Sequence, residues 1–249
     1  MMSLDWKTLW NESQRGSFME KGAPEDGKWL EFWNQEAGQY LDRVRRDEAF
    51  YQEIVGYLSR EMAFRRGDRV LDIACGPGTY TLQFAPEAAS VTALDFSSGM
   101  LSTLMAEAGR RGLGNIRPLQ STWSQFIKAD LFDLVFTALS PAVRGPDDLL
   151  KMEEYSTRTC CYITFGAEEQ SRIRNDLWNI LAGKGPDKKD FNVSYPFNLL
   201  ISMGRKPNVR FFDHVSQESM TVDQLTEYHA KFFGNFLQMD DEKRDKIRE

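Results

Sequence analysis

The sequence predicts an α/β fold: a three-layer sandwich with a mostly parallel sheet, extended by N-terminal helices and by an insertion after the fifth strand. Three observations lead there. From Arg69 to Phe165, short apolar runs of strand type alternate with helical patterns, a spacing that calls for crossovers between parallel strands covered on both faces. Val70, Leu71 and Ile73 run straight into Cys75-Gly76-Pro77-Gly78 and then Thr79–Leu82, which reads as strand, glycine turn and helix. The chain before Arg69 is helical throughout its patterned parts, with aromatic residues at three- and four-residue steps.

The elements follow in order. Trp6 and Trp10, four apart, share one face of a short helix, followed by a loop with Gly16, Gly22, Pro24 and Gly27. Trp29, Phe32, Trp33, Ala37, Tyr40 and Leu41 mark a second helix; Phe50, Ile54, Val55, Leu58 and Met62 mark a third. Strands are expected at Arg69–Ala74, Ser90–Asp95, Ile116–Leu119, Phe132–Leu139 and Cys160–Phe165. Between them, helices cover Tyr80–Ala85, a run capped by Ser97 or Ser98 that reaches Ala108, and about Pro146–Ser156. Beyond Gly166 the pattern gives a helix over Glu168–Leu181, a polar loop at 183–190, an apolar segment Tyr195–Met203 and a sixth strand at Asn208–His214. It closes with a helix capped by Thr221 and a charged stretch Asp240–Glu249 without strand character. The division expected is an N-terminal helical extension or lid over 1–65 and a main domain over 66–249, with an insertion at about 168–206.

Composition narrows the classes. The 31 basic and 37 acidic residues leave a net charge of −6, which gives no support for nucleic-acid binding. The three cysteines, Cys75, Cys160 and Cys161, lack metal-ligand spacing, and only His214 and His229 could add imidazoles. No metal is expected, and a reducing, cytoplasmic compartment is the simplest reading. No basic region precedes an apolar N-terminal core, and no run of about 18 apolar residues occurs, so neither export nor a membrane partner is expected.

The glycine turn sits at the carboxyl end of the first strand, where open α/β sheets bind ligands. Gly76 and Gly78 remove side chains where the backbone turns and approaches a ligand. Asp95 closes the second strand seventeen residues beyond Gly78, suited to gripping the two hydroxyls of a ribose. A dinucleotide fingerprint would place a third glycine where Thr81 stands, and no lysine-serine/threonine pair follows the turn as in a phosphate loop.

Taken together, Val70–Thr79, Val91–Asp95 with Phe96-Ser97-Ser98-Gly99-Met100, and Phe132–Val135 with Ala138 resemble the motifs of class I S-adenosylmethionine-dependent methyltransferases. Ala74 stands where that family most often has glycine. The resemblance spans roughly residues 30–166 and implies a seven-stranded, Rossmann-like sheet and S-adenosylmethionine as cofactor. It implies that Asp72, Ala74, Cys75, Gly76 and Gly78 form the cradle, that Asp95 binds the ribose, and that Phe96 and Met100 flank the adenine. Ala138 would line the side of the transferable methyl. Trp33-Asn34-Gln35-Glu36-Ala37-Gly38-Gln39-Tyr40 resembles a helix that closes over the cofactor in small-molecule members, through Trp33 and Tyr40.

Two departures stand out. The acid often found after the third strand is replaced by Gln120-Ser121-Thr122-Trp123, so a hydroxyl or backbone group of this segment, Thr122 among them, would have to substitute, with Trp123 as an apolar wall. No seventh strand is legible before Glu249. The loop Leu139-Ser140-Pro141-Ala142 lacks the Asn/Asp-Pro-Pro-aromatic arrangement of amino-methylating enzymes. The expectation is therefore methyl transfer to a small-molecule acceptor. His214 is a weak candidate base, and Tyr195 and Arg144 are weak candidates for substrate contact. The alternatives are a non-catalytic protein that binds the cofactor in a regulatory or scaffold role, and a nicotinamide-dependent oxidoreductase. The acceptor atom and the oligomeric state are not legible.

Overall fold

The computed structural model describes residues 4–15, 27–127, 130–166, 172–183, 192–216 and 219–249. They form two compact units, one made of the chain up to Phe32 together with Phe165–Glu249, the other of Trp33–Thr164.

The second unit contains the sheet. Strands β1 (Arg69–Ile73), β2 (Ser90–Asp95), β3 (Ile116–Gln120), β4 (Phe132–Ala138) and β5 (Ser156–Ile163) are all parallel, in the order β3-β2-β1-β4-β5. Val70, Leu71, Ile73, Val91, Ala93, Leu134, Val135 and Phe136 are fully shielded from solvent. That is why these strands read as continuous apolar runs and not as alternating ones. The register pairs Ile73 with Leu94 and with Thr137, Asp95 with Gln120, and Ala138 with Ile163. All five carboxyl ends therefore open on one edge.

Helix α1 (Trp6–Gln14) lies in the first unit; α2 (Gly27–Arg46) crosses the boundary between units at Phe32; α3 (Glu48–Arg60) follows in the second. The crossovers are α4 (Thr81–Phe84), α5 (Ser98–Arg110) and α6 (Pro146–Tyr155). Proline at the first position of α6 lacks only an N–H that would have no intrahelical partner. Phe64, Phe84, Phe136 and Tyr80 form a chain of rings with centroids 4.7–5.0 Å apart. An ionic knot joins three helices. Glu107 of α5 is buried and accepts from Arg45 of α2 at 2.7 Å, from Arg111 at 2.7 Å and from Arg110. Arg111 also pairs with Glu48 of α3. Burial alone would raise the Glu107 carboxyl, yet the three guanidinium groups hold it down to about 2.

The first unit is helical, with α7 (Arg172–Ala182), α8 (Ser194–Ser202), α9 (Val222–Gly234) and α10 (Asp241–Arg248). Its core is aromatic: Trp29 lies 5.5 Å from Phe236 and 6.0 Å from Phe232, and Trp178 lies 4.9 Å from Phe233. Thr221 caps α9 in a complete capping box with Gln224.

Two sequence expectations change, and one segment left open gains an element. Asn208–His214 forms no strand. Its alternating residues, Val209 at 39% and Phe211 at 64% exposed, are not buried against a sheet, and extended backbone without a neighbouring ladder stays irregular. Among the described residues the sheet has five strands, not seven. The apolar segment after Asn192 is helical, because Pro196 falls in the first turn of α8, where a missing N–H costs nothing. The polar loop at 183–190 lies, beyond Gly183, outside the described residues, as does the start of the expected helix at Glu168.

Candidate functional site

Everything notable about the carboxyl edge begins with backbone that ordinary residues avoid. Ala74, Gly76 and Gly78 follow β1 at φ of +56°, +56° and +97°, and Leu139 follows β4 at +47°. Left-handed geometry at a non-glycine residue costs on the order of 1–2 kcal/mol, so Ala74 and Leu139 hold strain at this edge. The two glycines serve different purposes. A Cβ on Gly76 would come 3.3 Å from the Tyr40 ring of α2, so this glycine lets that ring approach the turn. A Cβ on Gly78 would come 2.4 Å from Leu104 and 2.9 Å from Leu82, so its absence lets α5 pack against the turn.

Thr81, where a dinucleotide fingerprint would carry glycine, donates its hydroxyl to Asp72 Oδ2 at 2.6 Å. Asp72 is buried, and burial, opposed by the Thr81 hydrogen bond and assisted by nearby Asp95, pushes its carboxyl up to about 7. Asp95 closes β2 and is also buried, which raises its carboxyl, while backbone donors pull the other way. Its Oδ2 accepts the Gly76 N–H at 2.9 Å and its Oδ1 the Ser97 N–H at 2.9 Å. Each oxygen keeps a further lone pair. Neither Asp72 nor Asp95 has a Lys or Arg partner among the described residues.

Helix α2 covers this edge within its own unit. Tyr40 lies over Gly76, Trp33 is 6.1 Å from Tyr40, and the Arg43 guanidinium sits 5.0 Å from the Tyr40 ring centre. Asn34, which sequence reasoning passed over, reaches the start of α5. Its Oδ1 accepts from Ser97 Oγ at 2.7 Å and from the Gly99 N–H at 2.8 Å. Tyr51 of α3 was also missed; its ring meets Tyr80 at 5.4 Å, and burial raises both phenols above their ordinary range. The only sequence hint was Gly99 in the first turn of a helix, a position where close approach can demand glycine.

The remaining expected residues divide. Phe96 is half-buried directly after Asp95, and its carbonyl accepts from Gln120 at 3.3 Å. Met100 is buried, with its N–H capped by Ser97 Oγ at 3.1 Å. Ala138 ends β4 and is half-buried. Cys75 is buried, which raises its thiol well above the ordinary range and leaves it unreactive. Thr122 pairs with Ser124 at 3.0 Å and accepts the Gln125 N–H. The Trp123 ring is committed inward, 5.0 Å from Tyr155, under the Lys151 ammonium, with Nε1 donating to the Asp148 carbonyl at 3.1 Å. His214 is exposed on the irregular segment of the other unit, in which Tyr195 lies in the first turn of α8. Arg144 bonds the Pro141 carbonyl and, through its N–H, Asp148. Among the described residues no group of three or more His, Cys, Asp or Glu is placed to hold a metal ion, and no helix is long and apolar enough to cross a membrane.

With this geometry in view, residues 70–154 match a family model described as a methyltransferase domain. Over these residues the chain is similar to a methyltransferase domain. The matched stretch runs from β1 to α6 and builds the turn, Asp95 and the end of β4. An uncharacterised protein of Haemophilus influenzae is 28% identical over 121 residues, 48% of this chain and 44% of its own length. A demethylmenaquinone methyltransferase of Clavibacter sepedonicus is 40% identical over 78 residues, 31% of this chain and 28% of its own. A 23S rRNA (uracil(1939)-C(5))-methyltransferase of Salmonella typhi is 35% identical over 75 residues, 30% of this chain and 17% of its own. The chain thus spans less than half the length of these curated relatives. A solved SAM-dependent methyltransferase from Aquifex aeolicus is similar at 18% identity and a TM-score of 0.46, over 60% of this chain and 78% of its own.

Proposed function

We propose that the protein is a methyltransferase that takes the sulfonium methyl of S-adenosylmethionine and passes it by in-line displacement to a small-molecule acceptor. The observation that carries this reading is the Asp95 carboxylate, clamped by the Gly76 and Ser97 N–H groups beside a left-handed turn. A carboxylate so held presents acceptor lone pairs to a pair of hydroxyls, which suits a ribose. Two buried acids without basic partners favour a ligand that brings positive charge and disfavour a phosphate lodged against the same turn.

In this reading Gly76 lets the ligand approach the backbone, Asp72, Ala74, Cys75 and Gly78 shape the turn beneath it, and Phe96 and Met100 flank the adenine. Trp33 and Tyr40 shield it from water. Thr122 stands near the adenine edge, with Trp123 holding the loop that carries it. Ala138 faces the methyl. When bound, the cofactor supplies the methyl group as a good electrophile; what the chain supplies is orientation and exclusion of water. Tyr51 and Tyr80, kept neutral by burial, can donate hydrogen bonds but do not serve as bases near neutral pH. An acceptor nucleophilic without deprotonation would need no base.

The small-molecule acceptor rests on the net charge of −6 and on the Leu139–Ala142 loop. An RNA acceptor is the second reading, favoured by the likeness to ribosomal RNA uracil methyltransferases, though that likeness extends over 75 residues. Calorimetric titration with S-adenosylmethionine, S-adenosylhomocysteine and NAD tests the cofactor. The expected result is binding of the first two and none of NAD; binding of NAD alone contradicts the reading. A metabolite screen against an RNA panel then separates the acceptors, and binding without turnover of either favours the non-catalytic alternative.

A further inference from the structure

We infer that Asn34 is a positioning residue for the ribose-binding acid: it sets Asp95 through Ser97 and so couples the seating of α2 to cofactor affinity. The inference rests on the ribose role proposed for Asp95.

The proton direction along this chain of contacts is fixed by chemistry. The Gly99 N–H can only donate, so the Asn34 atom 2.8 Å from it is the carbonyl oxygen. Ser97 Oγ accepts the Met100 N–H at 3.1 Å, so its own proton goes to Asn34 Oδ1 at 2.7 Å. The Ser97 backbone N–H is then aimed at Asp95 Oδ1, and Asp95 Oδ2 takes the Gly76 N–H. One amide oxygen on α2 thus stands at the head of a relay through the start of α5 to the end of β2 and the glycine turn. It also satisfies a donor that the first turn of α5 leaves without an intrahelical acceptor.

The contact is built for closeness as well as for hydrogen bonding. A Cβ on Gly99 would lie 2.8 Å from both Asn34 Cα and Asn34 O, so only glycine lets α2 come this near. Further along α2, Tyr40 covers Gly76 and Arg45 reaches Glu107 of α5. Displacing the Asn34 end therefore acts on the acid and on the lid together. Ser97 is fully buried, so water cannot readily replace Asn34 as its acceptor.

Two perturbations reach this contact without touching Asp95. Asn34→Ala removes the acceptor, and Gly99→Ala forces the backbones apart. Asn34→Asp keeps an acceptor over the same donors, where a helix start favours negative charge. Calorimetric titration with S-adenosylhomocysteine should show at least fivefold weaker binding for Asn34→Ala and Gly99→Ala, and affinity within twofold of wild type for Asn34→Asp. A purely structural role would lower the melting temperature of the free proteins and leave these affinities unchanged, which would overturn the inference. Asp95→Ala separates the two layers. If it weakens binding while Asn34→Ala and Gly99→Ala do not, the relay is wrong and the ribose assignment stands. If Asp95→Ala has no effect, the ribose assignment falls and the relay with it.

Discussion

Replacing Asp72 by asparagine should change how stability depends on pH, by an amount the geometry sets. Asp72 is wholly buried beneath the glycine turn, and its carboxyl is raised from 3.8 to about 7. Below about pH 4 the group is protonated whether folded or unfolded, and the fold carries no penalty. Between about pH 4 and 7 the unfolded chain ionises while the folded one stays protonated, so stability falls as pH rises. Above about 7 both forms are ionised and the loss levels off. A displacement of about three units corresponds to roughly 4 kcal/mol at most, at 1.36 kcal/mol per unit. Asparagine is neutral throughout and can still accept the Thr81 hydroxyl through its amide oxygen. Urea denaturation of both proteins at pH 5, 6, 7 and 8 should therefore show Asp72→Asn gaining on wild type up to about pH 7 and holding a constant lead above it. Parallel pH profiles would refute the claim that burial governs this carboxyl.

Three further outcomes follow from named contacts. Because a bound cation favours the ionised form of Asp72, affinity for S-adenosylmethionine should tighten from pH 6 to 8 in wild type and more weakly in Asp72→Asn, read by calorimetry; equal slopes would count against it. Gly78→Ala places a methyl at φ +97° within 2.4 Å of Leu104, and should cost about 2 kcal/mol or more, a melting-temperature drop of roughly 4–8 °C by scanning calorimetry. Glu107→Ala leaves Arg45, Arg110 and Arg111 without their shared acceptor and should destabilise the protein by about 2 kcal/mol in urea titration near pH 7. That carboxyl is held down to about 2 from 4.5, so its contribution is complete above pH 4.5 and fades as pH falls toward 2.

Strands β1, β2 and β4 were legible because burial on both faces leaves apolar runs, and the turn was legible because left-handed backbone favours glycine at Gly76 and Gly78. The same signals misled where their physical cause was missing. Val209 and Phe211 alternate as a strand would, but alternation describes a half-buried face, and here both residues are exposed. Thr81 read rightly as a mismatch to a dinucleotide pattern, but the pattern gave no sign that its hydroxyl holds Asp72. Trp123 follows the third strand, and the pattern gave no sign that its indole N–H donates to the Asp148 carbonyl. Asn34 lies in the stretch that resembles a cofactor-covering helix but drew no role of its own, because one polar residue on an amphipathic helix looks like solvent-facing surface. Its meaning comes from Ser97 and Gly99, sixty-three and sixty-five positions away.

The central claim is that the edge of the sheet holds a nucleoside through Asp95. Side-by-side calorimetric titration of wild type and Asp95→Ala with S-adenosylmethionine addresses it most directly. The account predicts at least tenfold weaker binding by the variant, about 1.4 kcal/mol; equal affinity for the two proteins would contradict it.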